Sequence, residues 1–149
     1  MVDSRQKGAR AEAAAKKLLK DYTGLNWQRT PSSGALDEKH GLKGDLYIPQ
    51  EKNIYCLEVK HYKDDHLTSK ILTDKSPQFL KWWEQTEREA KQVKRIPLLI
   101  FKYDRSKWFV AFYGERDVSW RPYPSLKYND IVICKLEDWL EHDEPEFIE

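Results

Sequence analysis

The sequence predicts a mixed α/β fold in which a central β-sheet is flanked by helices. Apolar residues recur at three- and four-residue intervals over residues 4–22 and again over 76–94, which predicts two amphipathic helices. Short apolar segments bounded by turn-forming residues lie between and after them, as expected of strands. This order of elements is typical of a mixed sheet with helices packed against it.

The boundaries of the predicted elements follow from local signals. Ser4 can cap the first helix and Gly24 ends it, while residues 30–44 contain the Pro, Ser and Gly residues of a loop. Ser76 is the predicted cap of the second helix, with Pro77 in its first turn. The predicted strands are Asp45–Ile48, Ile54–Lys60, Leu98–Tyr103, Trp108–Tyr113 and a short edge strand, Ile131–Cys134, followed by a brief helix near residues 136–140.

The charge of the chain is unevenly distributed. Seven acidic residues and no Lys or Arg lie between Leu136 and Glu149, so residues 1–135 hold 26 basic and 18 acidic residues, a net charge of +8. A body this basic can bind a polyanion, and a solvated surface with a solubilising tail fits the charge equally well. We expect residues 1–149 to form a single domain, and the composition allows an acidic tail from about residue 141 to be disordered.

Several classes of protein are disfavoured by composition. With 149 residues the chain can bury one core, and no apolar run approaches the roughly 18 residues of a membrane span. The first ten residues are charged and lack the apolar stretch of a secretory signal. Cys56 and Cys134 are far apart and outside any C-x-x-C pairing, so neither a disulfide nor a zinc site is expected. These features predict a cytoplasmic protein.

The residues most indicative of chemistry lie on the first two predicted strands. Alternation along a strand places Glu58 and Lys60 on one face, and pairing within the hairpin can bring the carboxylate of Asp45 beside Glu58. Two carboxylates and a lysine suit a hard divalent cation and a phosphate. A solvated strand face with a surface ion pair is the alternative. A second Glu-x-Lys, Glu89 to Lys91, lies in a predicted helix that would splay its side chains apart, so we exclude it.

Four segments together resemble the PD-(D/E)XK nuclease superfamily, and more narrowly the archaeal-type Holliday junction resolvases and their phage relatives. One is Asp45 with Glu58-Val59-Lys60. The others are Lys7-Gly8-Ala9-Arg10-Ala11-Glu12, Arg29-Thr30-Pro31-Ser32-Ser33-Gly34-Ala35, and Trp83-Glu84-Gln85 with Arg88-Glu89-Ala90 before the strand Pro97–Phe101. The resemblance covers residues 4–103. Gly44 stands where that family often has Pro, a change we expect to matter little, and residues 104–149 match nothing familiar.

The resemblance implies a restriction-endonuclease-like fold that hydrolyses DNA with Mg²⁺, for which Mn²⁺ can substitute. It implies that Asp45, Glu58, Glu12 and the backbone carbonyl of Val59 hold the metal. Catalytic roles then fall to Glu12, Ser33, Asp45, Glu58 and Lys60. Without the resemblance, Glu12 reads as a surface residue of the first helix.

Basic and polar residues around these motifs are candidates for contacts to DNA, with ordinary surface solvation as the alternative. The candidates are Arg5, Lys7, Arg10, Arg29, Gln85 and Arg88.

The substrate that the resemblance favours is a four-way junction. Because resolution needs two symmetric cuts, we expect a homodimer. Trp82, Phe109 and Trp120 are more large apolar side chains than we expect one small core to bury, and interfaces favour such residues. Two rival functions remain open. One is a repair, flap or restriction-type nuclease on the same core, and the other is a DNA-binding module without activity.

Overall fold

The computed structural model describes residues 4–31, 43–114 and 121–149, with the side chains of the first helix described from Gln6 onwards. The helices are α1 (Ser4–Thr23), α2 (Gln78–Gln92) and α3 (Leu136–Asp138), with a 3₁₀ turn at Ser69–Leu72 and a π-helical turn at Trp139–Asp143. The strands are β1 (Gln28–Arg29), β2 (Leu46–Tyr47), β3 (Tyr55–Tyr62), β4 (Ile96–Tyr103), β5 (Phe109–Tyr113), β6 (Ser125–Tyr128) and β7 (Ile131–Lys135).

Within the described ranges the strands form one sheet in the order β1-β2-β3-β4-β5-β7-β6. Strands β3 and β4 are parallel from Tyr55 opposite Ile96 to Tyr62 opposite Tyr103, and α2 lies in the connection between them. The other described pairings are antiparallel. This arrangement confirms the predicted mixed sheet flanked by helices. Of the described helices, none is long and apolar enough to cross a membrane.

The central strand β4 is buried on both faces, which explains its continuous apolar sequence. Leu98 and Ile100 belong to a core cluster shared with α1 and the C-terminal segment, whereas Leu99 and Phe101 pack with the aromatic face of α2. Trp82 is only 3% exposed in this second cluster, so it fills the core of the monomer. The two clusters hold β3 and β4 rigidly between layers of helix.

Three predictions about element boundaries are wrong. Strand β7 lies between β5 and β6 and is therefore not an edge strand. The actual edge strand, β6, went unpredicted because its Ser-Leu-Lys-Tyr sequence is largely exposed and lacks an apolar pattern. Ser76 does not cap α2, because Pro77 occupies the cap position and makes no side-chain cap hydrogen bond.

The segment after Tyr62 contains the 3₁₀ turn, which the Thr68 side chain caps by accepting a hydrogen bond from the Lys70 N–H.

The acidic C-terminal segment is not the disordered tail that the composition allowed. Phe147 is 3% exposed and its carbonyl accepts a hydrogen bond from the N–H of Ile54 at 3.0 Å. The N–H of Glu149 donates to the carbonyl of Lys52 at 3.0 Å. The segment is therefore fixed to the turn between β2 and β3, and the largely buried Asp143 carboxylate pairs with Arg121. The predicted loop at 30–44 falls mostly at positions outside the described residues, as do Ser33 and Trp120.

Gly44 fixes the start of the β2–β3 hairpin through its backbone conformation. Its φ is +86°, and a Cβ at this position would lie 2.5 Å from the carbonyl oxygen of Leu57. Proline cannot adopt this conformation because its ring holds φ near −65°. The glycine that replaces the family's proline is thus a structural requirement of this hairpin, contrary to our expectation that it matters little.

Replacing Gly44 with Ala should destabilise the protein by about 2–5 kcal/mol, because left-handed strain adds to a steric clash with β3. Gly24→Ala is the matched control, since Gly24 has φ +72° but open space around it. It should cost only about 1–2 kcal/mol. Urea unfolding of both variants measures the difference, and equal losses would contradict the proposed clash.

Candidate active site

The β2–β3 hairpin places Asp45 against β3 through its backbone and its side chain. The Asp45 N–H donates to the carbonyl of Leu57 at 2.6 Å, and the carbonyl of Asp45 accepts from the Thr30 N–H at 3.0 Å. Its Oδ2 accepts a hydrogen bond from the Val59 N–H at 2.7 Å. The carboxyl groups of Asp45 and Glu58 lie close enough for each to shift the pKa of the other. The predicted convergence of these two acids is therefore present.

Glu58 lies beneath the surface, with only 2% of the residue exposed. Burial raises its pKa far above the ordinary value, and a hydrogen bond to Glu89 and the charge of Asp45 raise it further. These effects favour the protonated form of Glu58 in the metal-free protein.

Several effects act on the pKa of Asp45 in opposite directions. Burial raises its pKa, while the Val59 N–H, the bond to Glu58 and the charge of Lys60 lower it by a smaller amount. The net effect is a raised pKa. Both acids are therefore desolvated, and a cation that binds them would replace water and protons with oxygen coordination.

Glu12 approaches the same site from α1 but is paired with another residue. Its Oε1 accepts a hydrogen bond from Nε of Arg29 at 3.0 Å. Burial raises the pKa of Glu12 and the charge of Asp45 adds to this, whereas Arg29 and Lys60 act in the opposite direction. The proximity of Asp45 agrees with the predicted acidic group, and a role for Glu12 as a metal ligand remains a prediction.

A cleft of about 440 Å³ opens over these residues. Glu12, Asp45, Val59 and Lys60 line it, together with Lys7, Gly8, His61, Tyr62 and Lys63. Glu58 does not line the cleft and lies buried beside Asp45. The lining combines two acids with three lysines, which suits a cation together with an anionic substrate.

The remaining predicted contact residues lie in varied surroundings. Lys7 forms an ion pair with Asp104 at 3.1 Å, and Nε of Arg10 donates to the carbonyl of Gln6 at 3.4 Å. Arg88 is exposed on α2. The Gln85 amide donates to Glu89 at 3.4 Å, so it contacts the site through an acid rather than facing free solvent. The side chain of Arg5 and all of Ser33 lie outside the described residues.

Glu89 is the residue that the sequence reasoning missed. We excluded the pair Glu89 and Lys91 because a helix separates their side chains, and the structure agrees that Lys91 is exposed. Glu89 nevertheless contacts Glu58, because α2 packs across β3 with Thr86 and Ala90 buried. The sequence signal was the position of Glu89 beside the buried apolar face of α2. Because that face packs on the sheet, an acidic side chain next to it lies close to the sheet.

The donor set fits a hard divalent cation. Asp45 and Glu58 supply adjacent carboxylate oxygens, and Mg²⁺ usually binds to one or two carboxylates while keeping several waters. Among residues 4–31, 43–114 and 121–149, no three Asp, Glu, His or Cys side chains form a ready metal cage.

The chain belongs to a family of PD-(D/E)XK endonucleases. The family model described as "Phage putative PDDEXK endonuclease" matches residues 3–149, so the resemblance seen in the motifs extends to nearly the whole chain. The protein is accordingly a nuclease of this superfamily.

Two known proteins are similar to this chain. Protein D14 of Escherichia phage T5 is 41% identical over 150 residues, which is 95% of this chain and 94% of that protein. The 1.6 Å structure of Hjc, a Holliday junction resolvase from Archaeoglobus fulgidus, aligns with a TM-score of 0.42 at 14% identity, over 89% of this chain and 87% of Hjc.

The raised pKa of Glu58 predicts a pH-dependent stability. Its folded-state pKa lies above the ordinary value of 4.5, so the native state binds more protons and the free energy of unfolding falls as pH rises above that value. In EDTA, Glu58→Gln should therefore become more stable relative to wild type between pH 5 and 7.5, by up to about 1.4 kcal/mol per pH unit.

Urea unfolding at both pH values measures this effect, with Glu84→Gln on the exposed face of α2 as the control. A constant difference between Glu58→Gln and wild type across this range would contradict the assignment of the proton to Glu58.

Proposed function

We propose that this protein is a metal-dependent endodeoxyribonuclease that cuts DNA with Asp45, Glu58 and Lys60. The observation that supports this most strongly is the buried contact between the Asp45 and Glu58 carboxyl groups beneath a cleft lined by Lys60. Burying two carboxyl groups side by side costs stability, and a module that only binds DNA gains nothing from it. The cost is explained if the pair holds a cation during hydrolysis.

The proposed ligands of the cation are Asp45, Glu58 and the carbonyl of Val59, with Glu12 contributing directly or through water. Mg²⁺ is the proposed ion, and Mn²⁺ should substitute because it also prefers oxygen ligands. When bound, such an ion polarises the phosphate and lowers the pKa of an attacking water.

The remaining steps fall to side chains of the cleft. The Val59 N–H holds one oxygen of Asp45, so that the other oxygen can face the cleft. Lys60 orients the water or offsets the charge that develops on the phosphate. Ser33, through the resemblance, is a further candidate. Arg5, Arg29 and Arg88 are proposed to contact phosphates, and Gln85 to orient Glu89.

Cleavage assays with labelled linear, flap and four-way DNA, in Mg²⁺ and in EDTA, test the proposed activity. Asp45→Asn, Glu58→Gln and Lys60→Ala should each lower the cleavage rate by at least about 100-fold, because each removes a metal contact or a charge that stabilises the transition state. Binding measured by gel shift in EDTA should change little for the two acid variants.

Glu84→Gln and Lys91→Ala are the matched controls, since both residues are exposed on α2 and Lys91 belongs to the second Glu-x-Lys. Both should retain wild-type rates, whereas Glu89→Gln should lower the rate. Cleavage by Asp45→Asn at the wild-type rate would show that the proposed site is wrong.

The proposed substrate is the four-way junction, and the proposed assembly is a homodimer. Two copies are needed because one site of this size makes one cut, and an isologous pair presents two cuts about a two-fold axis. Trp82 no longer supports this proposal, because it is buried in the monomer. The edge strand β6 supports it instead, since Leu126 is 62% exposed there and edge strands can pair between copies.

Light scattering should therefore give the mass of a dimer, and junction assays should give paired, symmetric nicks. Leu126→Lys, which adds charge to the edge strand, should shift the mass towards a monomer, with Lys127→Ala on the same strand as its control. A strict monomer that cuts linear and four-way DNA equally well would contradict both the junction proposal and the dimer proposal, and would leave a nuclease of general specificity.

A further inference from the structure

A second cleft of about 410 Å³ adjoins the proposed active site. The two clefts are adjacent, because Lys7 and His61 line both of them. The second cleft is also lined by Arg10, Lys102, Asp104 and Trp108. These four residues lie outside the nuclease motif and have no role in the proposed chemistry.

The charges in this cleft are arranged around one acid. Among the described residues that line it, Asp104 is the sole acidic one, against the basic side chains of Lys7, Arg10 and Lys102. Oδ1 of Asp104 lies 3.1 Å from Nζ of Lys7 and 2.9 Å from Nε2 of His61. A single carboxylate oxygen thus contacts two nitrogen donors from two different elements, α1 and β3.

The cleft is also preformed rather than loosely built. Nζ of Lys102 lies 5.5 Å from the centre of the Trp108 ring, which holds the ammonium group by a cation–π interaction. The ring of His61 packs edge-on against the same tryptophan at 6.4 Å. The N–H of Asp104 donates to the carbonyl of Tyr62 at 3.1 Å, so the backbone at the acid is fixed independently of its side chain.

We propose that this second cleft binds the DNA backbone next to the cut, and that Asp104 occupies the place of one phosphate in the free protein. The proposal rests on the proposed function. A carboxylate and a phosphate are both oxyanions that accept hydrogen bonds from lysine and histidine, so the pocket around Oδ1 suits either anion. Because Lys7 and His61 line both clefts, a strand whose phosphate lies at Lys60 can place a neighbouring phosphate at Lys7.

Asp104 then acts as a built-in competitor of DNA. Binding of a phosphate must break the contacts of Asp104 to Lys7 and His61, which lowers the affinity. Removing the charge of Asp104 should therefore strengthen binding, whereas removing Lys102 or Lys7 should weaken it. Loss of one phosphate contact should also reduce the salt dependence of duplex binding by about 0.9 in the slope of log K against log salt.

Fluorescence anisotropy of a labelled duplex in EDTA, which prevents cleavage, tests this proposal. Asp104→Asn should bind DNA three- to tenfold more tightly than wild type, and Lys102→Ala should bind several-fold more weakly with a flatter salt slope. Asp130→Asn and Lys127→Ala at the opposite side of the sheet are the matched controls, because they make the same changes in net charge on exposed residues.

A double-mutant cycle separates a local effect from a general one. In the Lys7→Ala background, the gain from Asp104→Asn should fall below twofold, because the competing contact has already been removed. A similar gain from Asp130→Asn, an undiminished gain in the Lys7→Ala background, or no gain at all would overturn the proposal.

These outcomes are distinct from failure of the proposed function. Tight, Asp104-dependent binding without Mg²⁺-dependent cleavage would support binding at the second cleft and reject the nuclease chemistry. Normal cleavage with no effect of Asp104→Asn would reject only the proposal for the second cleft. Thermal unfolding of each variant confirms that the changes in binding do not reflect loss of the fold.

Discussion

The attachment of Asp45 to β3 is the constraint on which the site depends. Its N–H bonds to Leu57 and its side chain to the next N–H on the same edge, that of Val59, so two adjacent hydrogen bonds fix both the position and the direction of the carboxylate. The left-handed conformation of Gly44 allows this close approach. A catalytic acid held in this way needs no support from a long loop, and Glu58 on the same strand is correctly placed as a result.

Burial gives this rigid pair its chemistry. Carboxyl groups in water are ionised at neutral pH, whereas Glu58 keeps its proton because the layers of helix and sheet exclude water from it. A divalent cation can release that proton by supplying positive charge where solvent cannot. The same enclosure would disfavour monovalent ions, whose single charge offsets less of the repulsion between two acids. For the proposed metal, selectivity would thus follow from the desolvation of the site as well as from the number of its ligands.

The sequence predicted those parts of the molecule that depend on local pattern. Period-two alternation on β3 placed Glu58 and Lys60 on one face, and the motif around them led to the family. Sequence reasoning failed where the position of a side chain is set by packing between elements that are distant in the chain. Glu89 reaches Glu58 only because α2 crosses β3, and Asp104 meets Lys7 only because the β4–β5 turn returns to α1. Strand β6, with a single apolar side chain, is defined by its partner β7 rather than by its own residues.

The parallel pairing of β3 with β4 has a consequence for how the acid pair forms. Tyr55 pairs with Ile96, and the whole of α2 lies between them in the sequence. The two strands can therefore pair only after this long segment has become ordered. Pairings between distant residues of this kind slow folding, because the entropy of closing the loop is lost before the contacts form. Until that closure, Glu58 is an ordinary solvated carboxyl group with no acid neighbour from α2. A chain in which β3 and β4 have not yet paired therefore lacks the desolvated acid pair.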